Sequence, residues 1–142
     1  MTQPDWQTEH SVETIAGPEF AWAYMTNVAN WDDPPAQFRF NGPFKAGERG
    51  TTEIPGQPTR HWHLQIVQPI ETYTIEFSLD RATLSFTWRF NGLPDGRTRL
   101  TQVITLQGAY LPDVQQAFAS GLAGGMNRIA AAMNKAYMAG QN

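Results

Sequence analysis

Residues 83–90, T-L-S-F-T-W-R-F, carry a large apolar side chain at every second position. The positions between them hold threonine, serine or arginine. In an extended strand, successive side chains point to opposite faces of the sheet. The stretch therefore predicts a β-strand with one covered face and one face in water, which is typical of an antiparallel sheet.

The same alternation recurs on both sides of this strand. Turns rich in proline and glycine interrupt it, as at Pro55 and Gly56, and such short turns favour an antiparallel meander. A more polar opening stretch, residues 6–16, predicts a strand in an exposed or edge position. The remaining predicted strands are residues 38–40, 51–54, 61–66, 73–79 and 99–106.

Two segments have a helical pattern. Pro18 and Glu19 suit the first turn of a short helix, which we expect to end near Asn30, before the sequence D-D-P-P. A long helix is predicted for residues 112–138, where large apolar residues recur at spacings of three and four. Glycines inside that helix predict a bend or a close approach to its backbone, since each costs about 1 kcal/mol relative to alanine. The apolar stripe is Phe118, Leu122, Met126, Ile129, Met133 and Tyr137, and the glycines are Gly121, Gly124 and Gly125.

Composition excludes several classes of protein. The chain has 142 residues, a formal net charge of -3, 16% charged residues, 12% aromatic residues, five tryptophans and no cysteine. So many aromatic and so few charged residues exclude a disordered chain. The mildly acidic net charge gives no sign of the basic surface that nucleic-acid binding requires. Without cysteine there is no disulfide or thiolate site. The length predicts one domain over residues 1–142, and the lack of a leader or an apolar span predicts a cytoplasmic protein with no membrane insertion.

Four sequence motifs are spread over nearly the whole chain, and together they resemble those of the START-like, helix-grip superfamily, also called SRPBCC. They are G-P-E-F-A-W-A-Y-M-T-N-V-A-N-W-D-D-P at 17–34, G-P-F-K-A-G-E-R-G-T-T at 42–52, D-G-R-T-R-L-T-Q at 95–102 and G-M-N-R-I-A-A-A-M at 125–133. Within the superfamily the chain is similar to the polyketide cyclase/dehydrase-like branch. One departure is Asn27, which stands where that branch usually has aspartate.

The resemblance implies an α+β helix-grip fold. In this fold a curved antiparallel sheet of about seven strands wraps around a long C-terminal helix, and short helices follow the first strand. Such a sheet cannot close tightly around a helix along its whole length, so the gap between them is a natural ligand cavity. The superfamily includes lipid carriers, receptors, cyclases and chaperone co-activators, so the resemblance specifies the fold far better than the function.

The expected cavity has aromatic walls, although a filled core remains an alternative for each residue. Trp31, Phe38 and Phe40 are expected to form either a lid over the cavity or a structural cluster that closes the edge of the sheet. Gln102 interrupts an inward stripe, and a buried amide needs a hydrogen bond, so it could bind a polar group of a ligand. Tyr110 and Thr52 offer similar polar contacts. The other expected ligand-binding residues are Trp62, Leu64, Tyr73, Ile75, Phe77, Phe86, Trp88, Ile104, Phe118, Leu122, Met126 and Ile129.

Several polar residues are interpreted as structural. His61 and His63 share one face of a strand, as a two-histidine metal site requires, but that face is opposite Trp62 and therefore outward. We expect no metal and no cofactor. Arg89 is expected on the outer face in a cross-strand pair with Glu76 or Glu53. Asp32 and Asp33 are expected to cap a helix or to be solvated.

Three functions stay open at this point. The first is binding of a small hydrophobic molecule, including a lipid, and the second is a polyketide cyclase or dehydratase. Catalysis needs a positioned acid or base, and the expected inward side chains offer only Tyr73 and Glu9 or Glu13, which favours binding. The third is a co-activator of the heat-shock-ATPase-activator type, which would need an apolar patch on the outer face. A homodimer is also open.

Overall fold

The computed structural model describes residues 5–31, 35–79, 81–108 and 112–140, apart from the side chain of Val114. No helix in these ranges is long and apolar enough to cross a membrane. The elements in chain order are β1 (Trp6–Thr14), α1 (Pro18–Met25), a 3₁₀ turn (Val28–Asn30), β2 (Gln37–Phe40), β3 (Arg49–Glu53), β4 (Arg60–Gln68), β5 (Thr72–Leu79), β6 (Ala82–Gly92), β7 (Thr98–Gly108) and α2 (Pro112–Ala139).

The strands form one seven-stranded antiparallel sheet in the order β1-β7-β6-β5-β4-β3-β2. Consecutive strands from β2 to β7 are neighbours, which confirms the predicted meander, and β1 then pairs with β7. The polar opening strand lies at one edge of the sheet, as its pattern predicted. The curved sheet with its long C-terminal helix is the α+β helix-grip arrangement.

One face of the sheet, called here the helix face, is turned towards α2, and the other is called the outer face. In β6, Leu84, Trp88 and Phe90 are buried on the helix face. The register aligns Phe86 with Ile75 of β5 and Ile104 of β7. Because side chains alternate along a regular strand, this alignment assigns the residues of β5, β6 and β7 to the two faces. In β4 the alternation is interrupted, since its register with β5 shifts between Leu64 and Ile66.

The short helix ends earlier than the sequence pattern predicted. α1 stops at Met25, and the Thr26 hydroxyl donates to the carbonyl oxygen of Trp22 at 2.8 Å. Asn27 then begins a separate 3₁₀ turn, because its side chain accepts from the amide of Ala29 at 3.1 Å. The local hydrogen bonds of Thr26 and Asn27 thus divide the predicted helix into two pieces.

The second half of α2 is fastened to β1 and α1. The Asn134 side-chain oxygen accepts from the Thr14 hydroxyl at 2.5 Å and from the Ile15 amide at 3.0 Å. Tyr137 meets Phe20 of α1 edge to face, with ring centroids 5.2 Å apart. These contacts fix the end of the helix at the corner where β1 gives way to α1.

The three glycines of α2 neither end nor interrupt the helix. Around Gly121 there is open space, and Gly124 and Gly125 meet only the guanidinium of Arg128, at 3.9 and 3.7 Å from an added Cβ. The expected close approach to the helix backbone is therefore absent among the described residues. Leu122, Met126 and Met133 are buried, and Phe118, Ile129 and Tyr137 are half-buried, which confirms the predicted apolar stripe.

Candidate functional site

At the β2 edge of the sheet, the expected wall residues pack against each other around Trp62. Its ring lies 5.4 Å from that of Trp31 and 5.7 Å from that of Phe40, and Phe38 contacts Trp31 at 5.4 Å. The Trp62 indole donates to the buried Thr52 hydroxyl at 3.1 Å, so Thr52 already has a partner within the protein. Trp31, Phe38 and Phe40 thus form one contiguous aromatic cluster with Trp62 at this edge of the sheet.

A second group of rings surrounds Tyr73, which is fully buried. Phe44, Trp22 and Phe90 lie 5.0, 5.9 and 6.1 Å from its centroid. Burial raises the pKa of the Tyr73 phenol far above its ordinary value, so the hydroxyl stays protonated and donates to the Met25 carbonyl at 3.4 Å. This part of the helix face is filled by the chain's own aromatic side chains.

Under the first half of α2, the aromatic rings are less completely buried than Tyr73. Phe77 of β5, Phe86 of β6 and Phe118 of α2 form a chain of edge-to-face contacts, with successive centroids 5.6 and 5.5 Å apart. All three rings are on the helix side of the sheet, yet each is only half-buried. Part of each ring therefore remains exposed to solvent. The neighbouring side chains are Leu64, Ile75, Trp88, Ile104, Leu122 and Met126, all buried, and Ile129, which is half-buried.

Two polar residues, Gln102 of β7 and His10 of β1, form a row across the helix face beside these rings. The register places Gln102 between Trp88 of β6 and His10 of β1. Gln102 is thus inward, as predicted, and is half-buried. Within the described part of the chain, its amide makes no side-chain hydrogen bond.

The inward position of His10 was missed from the sequence, and the expected inward glutamates were wrong. Glu13 points to the outer face, where it pairs with Arg97 at 2.8 Å and Arg99 at 3.6 Å, and Glu9 is exposed. Polar residues occupy both faces of the edge strand, so its pattern alone could not show which set was inward. The register with β7 settles this, because His10 lies opposite the inward Gln102.

A groove of about 420 Å³ borders the same row, between β1 and the middle of α2. His10 and Val12 line it from the strand, and Asn127 and Ala130 line it from the helix. It continues around the free edge of β1 to Glu13 and Arg99. Polar side chains therefore border one side of the space that the helix covers.

Other polar predictions concern the outer face. His63 lies 3.7 Å from Glu76, and no three metal-ligating side chains come together anywhere in the described ranges. The expected pairing of Arg89 was wrong, because Glu76 has His63 as its partner and Glu53 lies 3.3 Å from Arg39. Arg89 is aligned with Thr72 and Thr101 instead, which offer hydroxyls rather than a carboxylate.

The outer face of the central strands consists largely of hydroxyl side chains. Ser11 and Thr101 are hydrogen-bonded at 2.7 Å, and Thr74 and Thr87 at 2.9 Å. The exposed large apolar side chains of the described residues are Ile15, Ile66, Ile70 and Met138. Three other residues singled out from the sequence, Tyr110, Asp32 and Asp33, lie outside the described residues.

Solved structures similar to this chain are distant in sequence. A protein from Mesorhizobium loti superposes with a TM-score of 0.68 at 16% identity, over 92% of this chain and 95% of that one. Ara h 8.0201 gives a TM-score of 0.65 at 15% identity, over 90% and 97%. DynU16, from the dynemicin biosynthetic locus, gives 0.68 at 17% identity, over 89% of this chain and 46% of its own.

No family model and no curated protein sequence matches the chain. At these identities, the structural likeness establishes the fold alone. The chain has the helix-grip fold that its sequence motifs implied.

Proposed function

We propose that this protein binds a small apolar molecule between the helix face of its sheet and the first half of α2. The observation that carries the proposal is the chain of phenyl rings formed by Phe77, Phe86 and Phe118. Rings in such a position would be buried if the helix filled the sheet completely. Their partial exposure instead leaves apolar surface that a ligand could cover.

Burial of apolar surface would supply most of the binding free energy. Each square ångström of apolar surface removed from water contributes roughly 25 cal/mol, and aromatic rings are large contributors. Ile104, Leu122 and Met126 are buried in the same core, so the surroundings of the rings are apolar. A lipid-like or aromatic molecule suits this lining better than a charged one.

A polar group on the ligand would be oriented by the row beside the rings. Gln102 lies two residues from Ile104 on the same face, which is roughly 7 Å along the strand. A ligand that covers the half-buried amide without bonding to it would leave a buried polar group unpaired, at a cost of about 1–3 kcal/mol. The proposed ligand therefore carries a hydroxyl, carbonyl or similar group close to its apolar part.

The proposal is tested by native mass spectrometry of the protein purified gently from extract of its own cells. We expect a retained small molecule, released on denaturation and identified by its own mass. A protein that carries no molecule, and that acquires none from a fractionated lipid and metabolite extract, would contradict the proposal.

A second candidate function is catalysis of the cyclase or dehydratase type, and His10 is the observation that favours it. An imidazole on the helix face, opposite Gln102, could exchange a proton with a bound substrate. The likeness to DynU16, a protein from a biosynthetic locus, agrees with such a role but shows only the fold. Incubation of the recovered molecule with the protein distinguishes the two functions. An enzyme would convert it and His10→Gln would abolish the conversion, whereas a binding protein would return it unchanged.

A further inference from the structure

A second groove, of about 440 Å³, opens near the start of β4, on the part of the sheet formed by β3, β4 and β5. The apolar residues of its lining are Pro58, Trp62 and Leu79. Its lining includes no residue of α2 and none of the rings of Phe77, Phe86 and Phe118, so the groove is distinct from the proposed apolar site. Its polar lining is Arg49, Thr59, Arg60, His61, His63 and Ser78.

Basic groups predominate in this groove although the chain as a whole is acidic, with a net charge of -3. Arg49 lies directly opposite His63 in the register of β3 and β4. Within the described residues, neither Arg49 nor Arg60 is within 4.0 Å of a carboxylate. Of the described carboxylates, only Glu76 pairs with a lining residue, at 3.7 Å from His63.

The arginines of the groove differ from others on the same sheet. Arg97 and Arg99 both contact Glu13, and Arg39 contacts Glu53. Those cations are neutralised by the chain itself. Among the described residues, Arg49 and Arg60 have no carboxylate partner, and Arg49 lies on the same face of the sheet as His61 and His63.

We propose that this groove binds the phosphate group of a small organic phosphate monoester. Guanidinium groups donate paired hydrogen bonds in the geometry that phosphate oxygens accept, and the hydroxyls of Thr59 and Ser78 can donate to the remaining oxygens. The volume exceeds that of a phosphate ion alone. Pro58 and Leu79 would therefore contact the organic part of the ligand.

The three histidines of the chain provide an internal control for a test. His61 and His63 line the groove, whereas His10 lies beside α2. Phenyl phosphate is titrated into the protein at constant pH and ionic strength, and the imidazole carbon-bound protons are followed by NMR. We expect saturable shifts of the His61 and His63 signals and none of His10. Equal, non-saturating shifts of all three signals would overturn the proposal.

Matched variants separate a specific site from general charge attraction. Arg49→Gln removes a cation from the groove on the face that carries His63, and we expect it to weaken binding about three- to fivefold, the effect of one partly exposed charged contact. Arg89→Gln removes the same charge from the outer face of β6, outside the groove, and should leave the affinity unchanged. Equal dissociation constants for the two variants would contradict the site.

Inorganic phosphate separates a free anion from an organic monoester. We expect it to shift the same two histidine signals, but to bind more weakly than phenyl phosphate because it cannot contact Pro58 and Leu79. Equal affinities would overturn the assignment of the organic part. The outcome does not depend on the apolar site under α2, because neither variant touches that site.

Discussion

Phe118 of α2 meets Phe86 of β6 edge to face, with ring centroids 5.5 Å apart, and both rings remain half-buried. This contact connects the first half of the helix to the centre of the sheet. The second half is held by hydrogen bonds to Asn134 and by buried Met133. The fold is thus tightly packed at the Asn134 end and keeps accessible apolar surface at the Phe118 end.

Phe118→Ser is expected to weaken binding of the apolar fluorescent probe anilinonaphthalene sulfonate. The ring lost would contribute about 1–2 kcal/mol of apolar burial, or roughly tenfold in affinity. Phe20→Ser is the matched control, because Phe20 is also a half-buried helical phenylalanine with an edge-to-face partner but lies near Tyr137. Fluorescence titration should show the loss for Phe118→Ser alone. Equal losses in both variants would place the probe elsewhere.

Asn134→Ala is expected to destabilise the protein by about 1–3 kcal/mol, because the Thr14 hydroxyl and the Ile15 amide both lose their acceptor. Asn134→Asp keeps an oxygen in place for both donors and should retain most of the stability. Urea unfolding of the two variants measures the difference. An Asp variant as unstable as the Ala variant would mean that these hydrogen bonds do not fasten the helix.

Ile70→Gly is expected to stabilise the protein by about 1 kcal/mol, since a β-branched residue there is strained. Ile70 has a φ of 65° in the turn closed by the Glu71 amide and the Gln68 carbonyl at 3.0 Å. Glycine or asparagine favours positive φ at the third position of such a turn. Ile70→Val keeps the branching and should leave the free energy of unfolding nearly unchanged. Two variants of equal stability would contradict the strain.

Stability is expected to fall as the pH rises above about 10, the ordinary tyrosine pKa. The unfolded chain then releases the Tyr73 proton while the folded chain, in which burial raises the pKa of Tyr73, keeps it. Each such group lowers the free energy of unfolding by about 1.4 kcal/mol per pH unit. Tyr73→Phe removes this contribution and should flatten the alkaline slope measured by urea unfolding. A slope unchanged in the variant would show that Tyr73 does not cause it.

Gln102→Leu is expected to leave the free energy of unfolding unchanged or raise it by up to about 1 kcal/mol, because the amide has no hydrogen-bond partner among the described residues and leucine adds apolar contact. Gln107→Leu, at an exposed position of the same strand, should change it by less than about 0.5 kcal/mol. Thermal and urea unfolding provide the comparison. A loss above about 1 kcal/mol for Gln102→Leu would show that the amide is structural.

The sequence predicted most of the fold because alternation and helical spacing report local geometry. Trp88 and Ile104 lie on the helix face as their patterns indicated, and Leu122 and Met126 are buried in the stripe of α2. Polar β1 is an edge strand, as expected. These features depend on which side chains are buried away from water. The spacing of apolar residues within a short stretch of sequence already indicates those side chains.

The parts that could not be predicted depend on contacts between distant residues. Asn134 fastens α2 to a strand 120 positions away, and no local pattern marks that pairing. His10 is inward only because β1 pairs with β7 in one register. The wall around Tyr73 is filled by Trp22 and Phe44, which come from segments outside the central strands. Spacing along one strand cannot show which rings fill the space and which remain accessible.

The proposed ligand lies between the sheet and the first half of α2. Intermolecular nuclear Overhauser effects between bound anilinonaphthalene sulfonate and the phenylalanine rings locate the bound molecule. We predict contacts from the probe to the ring protons of Phe77, Phe86 and Phe118. Saturable binding with contacts only to Phe20, Phe38 or Phe44, or no binding at all, would contradict the account.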